Sequence, residues 1–377
     1  MTEQTAILVL SMLAGGRLGY ADAKRLYEVA GSALAIVENR NDIRSIVPDA
    51  SDRLCEILSV DISSVVARAE EEQRWAAENS VGVIPISSNS YPERLRHCPD
   101  APLVIYVRGT ASLNPSCALA IVGTRKCTAY GRDVIDAIIG DLKKVCPSVQ
   151  IISGLAYGVD ICAHRAALRE SMSTVGVVAH GHDTLYPALH RPEANKMIQS
   201  CGAVVTEYPR FTRPEARNFL QRNRIIAGMS DATLVVESAS HGGGLVTARI
   251  AQDYNREVFA VPGSIQSEYS AGCNNLIRDQ KAQLVTSADD IVSLMNWQRE
   301  ATLQQARRNG IERTLFETLA PDEQKIVDAL TQHGDTSLND LTIYTSLPVQ
   351  TLNALLFSLE MRGVIRTLSG SIYHLIN

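Results

Sequence analysis

Six short loops, each following an apolar run of strand length, hold the residues best suited to chemistry. They are Gly123-Thr-Arg-Lys126, Ser153-Gly-Leu-Ala-Tyr-Gly158, His180-Gly-His-Asp183, Glu207-Tyr-Pro209, Ser238-Ala-Ser-His-Gly-Gly-Gly244 and Pro262-Gly-Ser264. All but one contain glycine. Without a Cβ, backbone N–H groups can close on a phosphate, and a helix starting at the loop adds a partial positive charge. The clearest such cradle is Gly242-Gly-Gly244, which opens Leu245-Val-Thr-Ala-Arg-Ile-Ala. A tight strand-to-helix turn needing positive φ would use the same triplet. Repetition around one rim favours a phosphate-bearing ligand.

Charge gives a second signal. Arg210, Arg213, Arg217, Arg222 and Arg224 lie within one short stretch against the single acid Glu215, and Phe211 and Phe219 lie among them. Guanidinium groups make bidentate phosphate contacts, and an interleaved aromatic offers a face to an unpaired base. Such a run can also be a solvated face whose arginines serve structural ion pairs. The whole chain of 377 residues carries a formal charge of −5. Phosphate binding must therefore come from a local basic patch, and the arginine run is the candidate.

Other classes find less support. No loop has the G-x-G-x-x-G order of a dinucleotide site or the G-x-x-x-x-G-K-[ST] order of a P-loop, so no cofactor is expected. Asp160, Asp183 and Glu207 lie on the rim as candidate acid–base groups, or as helix caps and arginine partners. His180, His182, Asp183 and His190 have spacing a metal could use, but no further His/Cys set accompanies them and no metal is expected. The eight cysteines show no C-x-x-C pair, which suits free thiols in a reducing cytoplasm. Residues 5–14 are apolar but follow Glu3 with no basic residue, unlike a signal peptide, and no apolar run reaches membrane-spanning length.

The elements that must position these loops follow from periodicity. Residues 1–80 read as short amphipathic helices, with Gly31 as a stop and Ser32 as the next cap. From residue 81 to about 295, strand-like runs at 81–86, 103–107, 118–122, 150–152, 174–179, 203–206, 232–237, 257–261 and, shorter, 284–286 alternate with helix-length segments. That alternation predicts an α/β fold, a doubly wound, mostly parallel sheet covered on both faces. In such sheets ligands bind beyond the carboxyl ends of the strands, where the six loops lie. Residues 296–320 read as a polar linker. Residues 321–377 read as three helices and a hairpin, a winged helix.

At this point the motifs resemble a family. Ala120-Ile-Val-Gly-Thr-Arg125, Ser153-Gly-Leu-Ala-Tyr-Gly-Val-Asp-Ile-Cys-Ala-His164 and Asn218-Phe-Leu-Gln-Arg-Asn-Arg-Ile-Ile-Ala-Gly228 are similar to signature segments of the DNA-processing protein A family (DprA, or Smf). Tyr91-Pro-Glu-Arg-Leu95, Leu234-Val-Val-Glu237, Leu245-Val-Thr-Ala-Arg249, Val258-Phe-Ala-Val-Pro-Gly263 and Gly272-Cys-Asn-Asn-Leu-Ile277 extend the likeness in order over residues 90–290. The resemblance implies an extended Rossmann-like domain that dimerises and binds single-stranded DNA. It also implies a small SAM or helix-hairpin-helix-like domain before it and a winged helix after it. It implies further that the protein protects incoming DNA and loads the recombinase RecA during natural transformation or homologous recombination, in the cytoplasm and without catalysis. Matched residue by residue, Arg125, Asn218, Phe219, Arg222, Asn223 and Arg224 fall on DNA-facing motifs, with Lys196 a further basic candidate. Gly123, Lys126, Gly154 and Gly243 complete the candidate DNA-binding set.

Three segments depart from the family pattern: His180-Gly-His-Asp183, Tyr157 where arginine is frequent, and His241-Gly-Gly-Gly244. An alternative class, nucleotide N-glycosidic hydrolysis, resembles a P-G-G-x-G-T-x-x-E motif, but the helix after residues 242–244 offers Arg249 and no glutamate. In the tail, Asp322, Glu323, Asp328, Asp335, Asp340 and Glu360 outnumber Lys325, Arg362 and Arg366. A groove reader needs positive charge, so the tail is expected to bind protein, or DNA only weakly. In a filter or anisotropy assay, residues 321–377 alone should bind duplex DNA no tighter than about 1 μM at physiological salt. Tighter binding would make the tail a DNA reader.

Overall fold

The computed structural model describes residues 1–14, 18–297, 319–368 and 370–376. The expected linker at 296–320 therefore lies, apart from its ends, outside the described residues. Five helices open the chain: α1 (Glu3–Leu13), α2 (Tyr20–Ala30), α3 (Ala33–Glu38), α4 (Asp52–Leu58) and α5 (Ser63–Glu78). Gly31 ends α2 at φ +69, and Ser32 Oγ accepts the Ala35 N–H at 3.2 Å to cap α3. No described helix is long and apolar enough to cross a membrane.

Nine strands then build one sheet: β1 (Gly82–Pro85), β2 (Val104–Gly109), β3 (Cys117–Val122), β4 (Val149–Ser153), β5 (Thr174–Val177), β6 (Ala203–Thr206), β7 (Ala232–Val235), β8 (Glu257–Ala260) and β9 (Gln283–Leu284). Their order is β1-β2-β6-β5-β4-β3-β7-β8-β9. From β6 to β9 every neighbouring pair is parallel, whereas β1 with β2 and β2 with β6 are antiparallel. Between β1 and β2 the only helix is α6 (Glu93–Arg96), a single turn, and the chain doubles back there instead of crossing over. Elsewhere α7 (Ala129–Val145), α8 (Val159–Arg169), α9 (Arg191–Gln199), α10 (Ala216–Gly228), α11 (Gly243–Asp253), α12 (Ala271–Arg278) and α13 (Ala288–Leu294) follow the strands.

Side chains alternate across the sheet. Leu119, Ile121, Ile151 and Leu234 face Ile135, Ile138 and Leu142 of α7. Ala118, Ala120, Ile152 and Val235 face the opposite side, where they share one core with Ile225 and Ile226 of α10 and with Leu8, Leu10, Leu26 and Ile36 of the opening helices. The N-terminal helices are thus packed onto the sheet. Lys24 Nζ donates to the carbonyls of Arg96 (2.7 Å) and Cys98 (2.8 Å), and Glu72 accepts the Arg210 N–H at 3.0 Å.

The tail is a winged helix. α14 (Pro321–His333), α15 (Leu338–Thr345) and α16 (Val349–Met361) enclose Ile326, Leu341, Leu352 and Leu356. Three short strands, β10 (Thr336–Ser337), β11 (Ile365–Leu368) and β12 (Ile372–Leu375), pair in the order β10-β12-β11.

A histidine buried on α8, against the nine-stranded sheet, makes the fold sensitive to acid. His164 Nδ1 lies 2.7 Å from Thr174 Oγ1, and that hydroxyl donates onward to the Ile151 carbonyl at 3.0 Å. Nδ1 therefore carries the ring hydrogen, and the buried Nε2 has no partner. Burial holds the imidazole down to about 3, and nearby His190 and Arg222 oppose its protonation further. An unfolded histidine titrates near about 6.5, so below that pH the unfolded chain binds a proton that the folded one refuses. Stability should fall as pH drops from about 6.5 toward about 3, by up to about 1.4 kcal/mol per unit from this residue. Urea denaturation at about pH 7 and about pH 5 should show this loss, and a smaller one in His164→Gln. Equal losses in the two proteins would refute the assignment.

Candidate nucleic-acid interface

Strand order reverses between β3 and β7, and the loops leaving their carboxyl ends part there to form a crevice. The β3 loop is tied to the β7 loop. Thr124 N–H donates to the Glu237 carbonyl at 2.7 Å, and the buried Glu237 carboxylate accepts Thr128 N–H at 2.8 Å and Thr128 Oγ1 at 2.6 Å. The β4 loop joins them, since Val159 N–H donates to the Thr124 carbonyl at 3.1 Å. Gly158 makes that approach possible: its φ is +78, and a Cβ would stand 2.1 Å from the Thr124 carbonyl oxygen. Gly123 and Gly244 also pack closely, a Cβ on Gly244 falling 3.0 Å from Gly123 Cα.

The result is a cleft of about 580 Å³. Gly123, Arg125, Lys126, Phe219, Arg222, Asn223 and Gly243 line it. At one wall α11 begins at Gly243 with no side-chain cap, so its first N–H groups point a partial positive charge into the space. Arg125 and Lys126 are exposed, and neither has an ion pair among the described residues. Two guanidiniums approach the Phe219 ring, Arg125 at 5.2 Å and Arg222 at 5.6 Å from its centre. Tyr186 meets the same ring edge-on at 5.8 Å. Tyr157, 43% exposed, stands on the rim against His190. Sequence reasoning treated Tyr157 only as a departure and overlooked Tyr186, although aromatics in two rim loops were a usable signal.

The five clustered arginines do different jobs. Arg222 is 3% exposed at the floor of the cleft, where Nη1 donates to the Gly154 carbonyl at 2.8 Å and also to that of Val177. Burial pushes its guanidinium down to about 10, against the pull of Asp160, so it stays charged at neutral pH. Gly154 leaves room for both groups: a Cβ there would meet Asp160 Oδ2 at 2.5 Å and Arg222 Nη2 at 2.7 Å. Arg224, two residues further along α10, is turned to the other side of the helix. It pairs with buried Glu207, donates to the Asp100 carbonyl and covers the Tyr20 ring at 4.0 Å. Arg210 pairs with Glu71 and Glu72 of α5. Arg213 and Arg217 are exposed before and within the first turn of α10.

Two other candidates also lie outside the cleft lining. Asn218 donates its side-chain amide to the Arg213 carbonyl at 3.0 Å, closing the turn before α10. Lys196 lies on α9 beside Arg165 and Arg169, in a separate groove. The loop histidines hold backbone: His180 bonds Gly181 O and Tyr186 N, His182 bonds Tyr106 O, and His190 bonds Leu155 O. Among the described residues no group of three or more His, Cys, Asp or Glu is placed to hold a metal ion.

The architecture is thus an open Rossmann-like sheet with an aromatic, cationic cleft at its switch point, followed by a winged helix. The chain belongs to the DNA recombination-mediator protein A family, whose model matches residues 82–296, and a DprA winged-helix model matches residues 314–371. It is 37% identical over 280 residues to a putative DNA processing protein DprA of Mycobacterium tuberculosis, covering 74% of this chain and 70% of that one. It is 34% identical to protein Smf of Escherichia coli, covering 78% of each. Among solved structures, DNA processing protein A of Streptococcus pneumoniae matches with TM-score 0.56 and 27% identity, covering 73% of this chain and 98% of that one. The Helicobacter pylori protein, for which a single-stranded DNA binding mode is described, matches with TM-score 0.51 and 26% identity, covering 57% and 94%.

Two glycines of the cleft separate backbone need from open space. Gly158→Ala should lower stability by more than about 1 kcal/mol, because a side chain is strained at that φ and clashes with Thr124. Gly243→Ala meets nothing within 4 Å and should stay within about 0.5 kcal/mol. Urea denaturation reads both, and equal losses would contradict the described loop contacts.

Proposed function

We propose that the protein binds single-stranded DNA in the switch-point cleft, protects it, and loads the recombinase RecA onto it during natural transformation or homologous recombination. The observation that carries the reading is the ring of Phe219 lining the cleft, with the guanidiniums of Arg125 and Arg222 close to it, beside the uncapped start of α11. An unpaired base can stack on such a ring while the exposed cations and N–H groups take the flanking phosphates. Duplex DNA keeps its bases stacked away from any such platform. Gly123, Arg125, Lys126, Phe219, Arg222, Asn223 and Gly243 are the contact residues in this reading, with Gly154 supporting Arg222. Arg224 and Asn218 act indirectly, by holding α10. Lys196 joins only if the strand runs on across α9. Family membership and the single-stranded DNA bound by the Helicobacter pylori relative support the same assignment.

We read the protein as a binder without a catalytic step, homodimeric through its Rossmann-like domain and cytoplasmic. Hydrolysis of an N-glycosidic bond calls for carboxylates free to act on substrate. Glu237 spends both oxygens on Thr128, and Asp160 is buried next to Arg222. The winged tail suits a protein partner better than DNA. Along α16 the large apolar residues Val349, Phe357 and Met361 are exposed beside the uncharged Gln350, Thr351 and Asn353, and Glu360 is the only charged residue of that helix.

Fluorescence anisotropy of labelled single-stranded and duplex oligonucleotides over a salt series tests the cleft. The single strand should bind more tightly. Replacing Arg125 and Lys126 together by Ala should lower the log–log salt slope by about 1.4, the release expected for two phosphate contacts on a single strand. Phe219→Ala should cost about 1–3 kcal/mol with little change in slope. Absence of single-strand preference, or undiminished binding by both variants, would remove the cleft as the DNA site.

A further inference from the structure

The loop between β6 and α10 carries an aromatic ring that the core does not use. Phe211 lies there at φ +65, in the left-handed region, and is 68% exposed. That backbone suits glycine, and a bulky side chain adopts it only under strain. The other non-glycine residues at positive φ among the described ones are serine, asparagine or glutamine, apart from Leu155. Leu155 is fully buried in an apolar cluster, which offsets its strain. Phe211 alone among the described residues places a large apolar side chain at such a backbone and leaves it in solvent.

Two elements hold the strained turn. In the loop after β5, Asp183 Oδ1 accepts the Phe211 N–H at 3.0 Å, and the Gly181 N–H donates to the Thr212 carbonyl at 3.2 Å. From α5, Glu72 accepts the Arg210 N–H at 3.0 Å, and Arg68 Nη2 donates to the Arg210 carbonyl at 3.2 Å. The Arg210 guanidinium lies over the ring, 4.7 Å from its centre. The ring is thus fixed before any partner arrives, so binding does not have to order it. Its place ties it to the cleft. The loop that holds Phe211 through Asp183 also carries Tyr186, which meets Phe219 edge-on. Phe211 precedes Phe219 by eight positions, at most about 23 Å of chain. Arg213 and Arg217, both exposed, fall in that interval.

We propose that Phe211 is a second stacking platform for single-stranded nucleic acid. A base of a strand that already fills the cleft lies on the exposed ring, with its flanking phosphate near Arg213. The proposal rests on the cleft as the single-strand site and adds a subsite beyond it. Every base offers a face to such a ring, so the subsite lengthens the strand that is held without selecting a sequence. Glu71 pairs with Arg210, and Glu215 follows Arg213, so the net charge here is small. Stacking therefore supplies most of the attraction, and salt should affect it little.

The test measures anisotropy of labelled thymidine oligomers about four and about sixteen nucleotides long with the full-length protein. Phe211→Gly should match wild type on the short oligomer and bind the long one about tenfold more weakly, with an unchanged salt slope. Phe211→Tyr keeps the ring and should bind both as wild type does. Glycine relieves the turn, so the urea midpoint of Phe211→Gly should hold or rise, which separates lost binding from lost folding. In wild type, photo-cross-linking of bromouracil-substituted oligomers should label Phe211 from the long one and not from the short one. Equal binding of the long oligomer by wild type and Phe211→Gly, an equal loss on both lengths, or no cross-link at Phe211 would overturn the proposal. Phe219→Ala reports on the cleft separately: it weakens both lengths if the strand binds there and neither if it does not.

Discussion

Glu237 is 2% exposed and surrenders both carboxylate oxygens to Thr128, while its own carbonyl accepts from Thr124. A buried carboxylate is stable only when its lone pairs are met by donors, so this residue dictates the course of the loop between β3 and α7. The consequences spread outward. Thr128 becomes the N-cap of α7, and Gly131 must lack a Cβ because one would sit 2.2 Å from Glu237 Oε2. The loop then has one remaining direction for Arg125 and Lys126, out over the cleft. Glu237, visible in the sequence only as the end of the Leu234–Glu237 motif, is the clamp that holds the loop carrying the cations.

Much of this is legible in the sequence. Strands buried on both faces are apolar along their whole length, and all nine runs fell where strands formed. The winged tail followed from helical periodicity and a hairpin turn. The antiparallel edge did not, because direction depends on how a connection returns, and the residues of β1 and β2 alone do not encode that.

The arginine run was legible as charge but not as geometry. Arg222 and Arg224 are two residues apart, so on a helix they point to different sides. One reaches the cleft floor; the other pairs with Glu207, 17 residues earlier, and covers Tyr20 of the distant N-terminal helices. Nothing local marks which arginine is claimed by the N-terminal helices, since the claim is made by residues some two hundred positions earlier. Phe219 was legible as an aromatic, while its approach to Arg125 depended on the β3 loop arriving from elsewhere.

The shared core of the opening helices and the sheet also has a consequence in time. Glu72 finds its partner at the Arg210 N–H, 138 residues later in the chain. At a synthesis rate of about 5–20 residues per second, α5 waits roughly 7–28 s for that partner to leave the ribosome. Through that interval Leu8, Leu10, Leu26 and Ile36 have no sheet to cover. The first part of the chain to be made is thus among the last to be completed, and an apolar helical cluster must be kept from other nascent chains while the sheet that will receive it is translated.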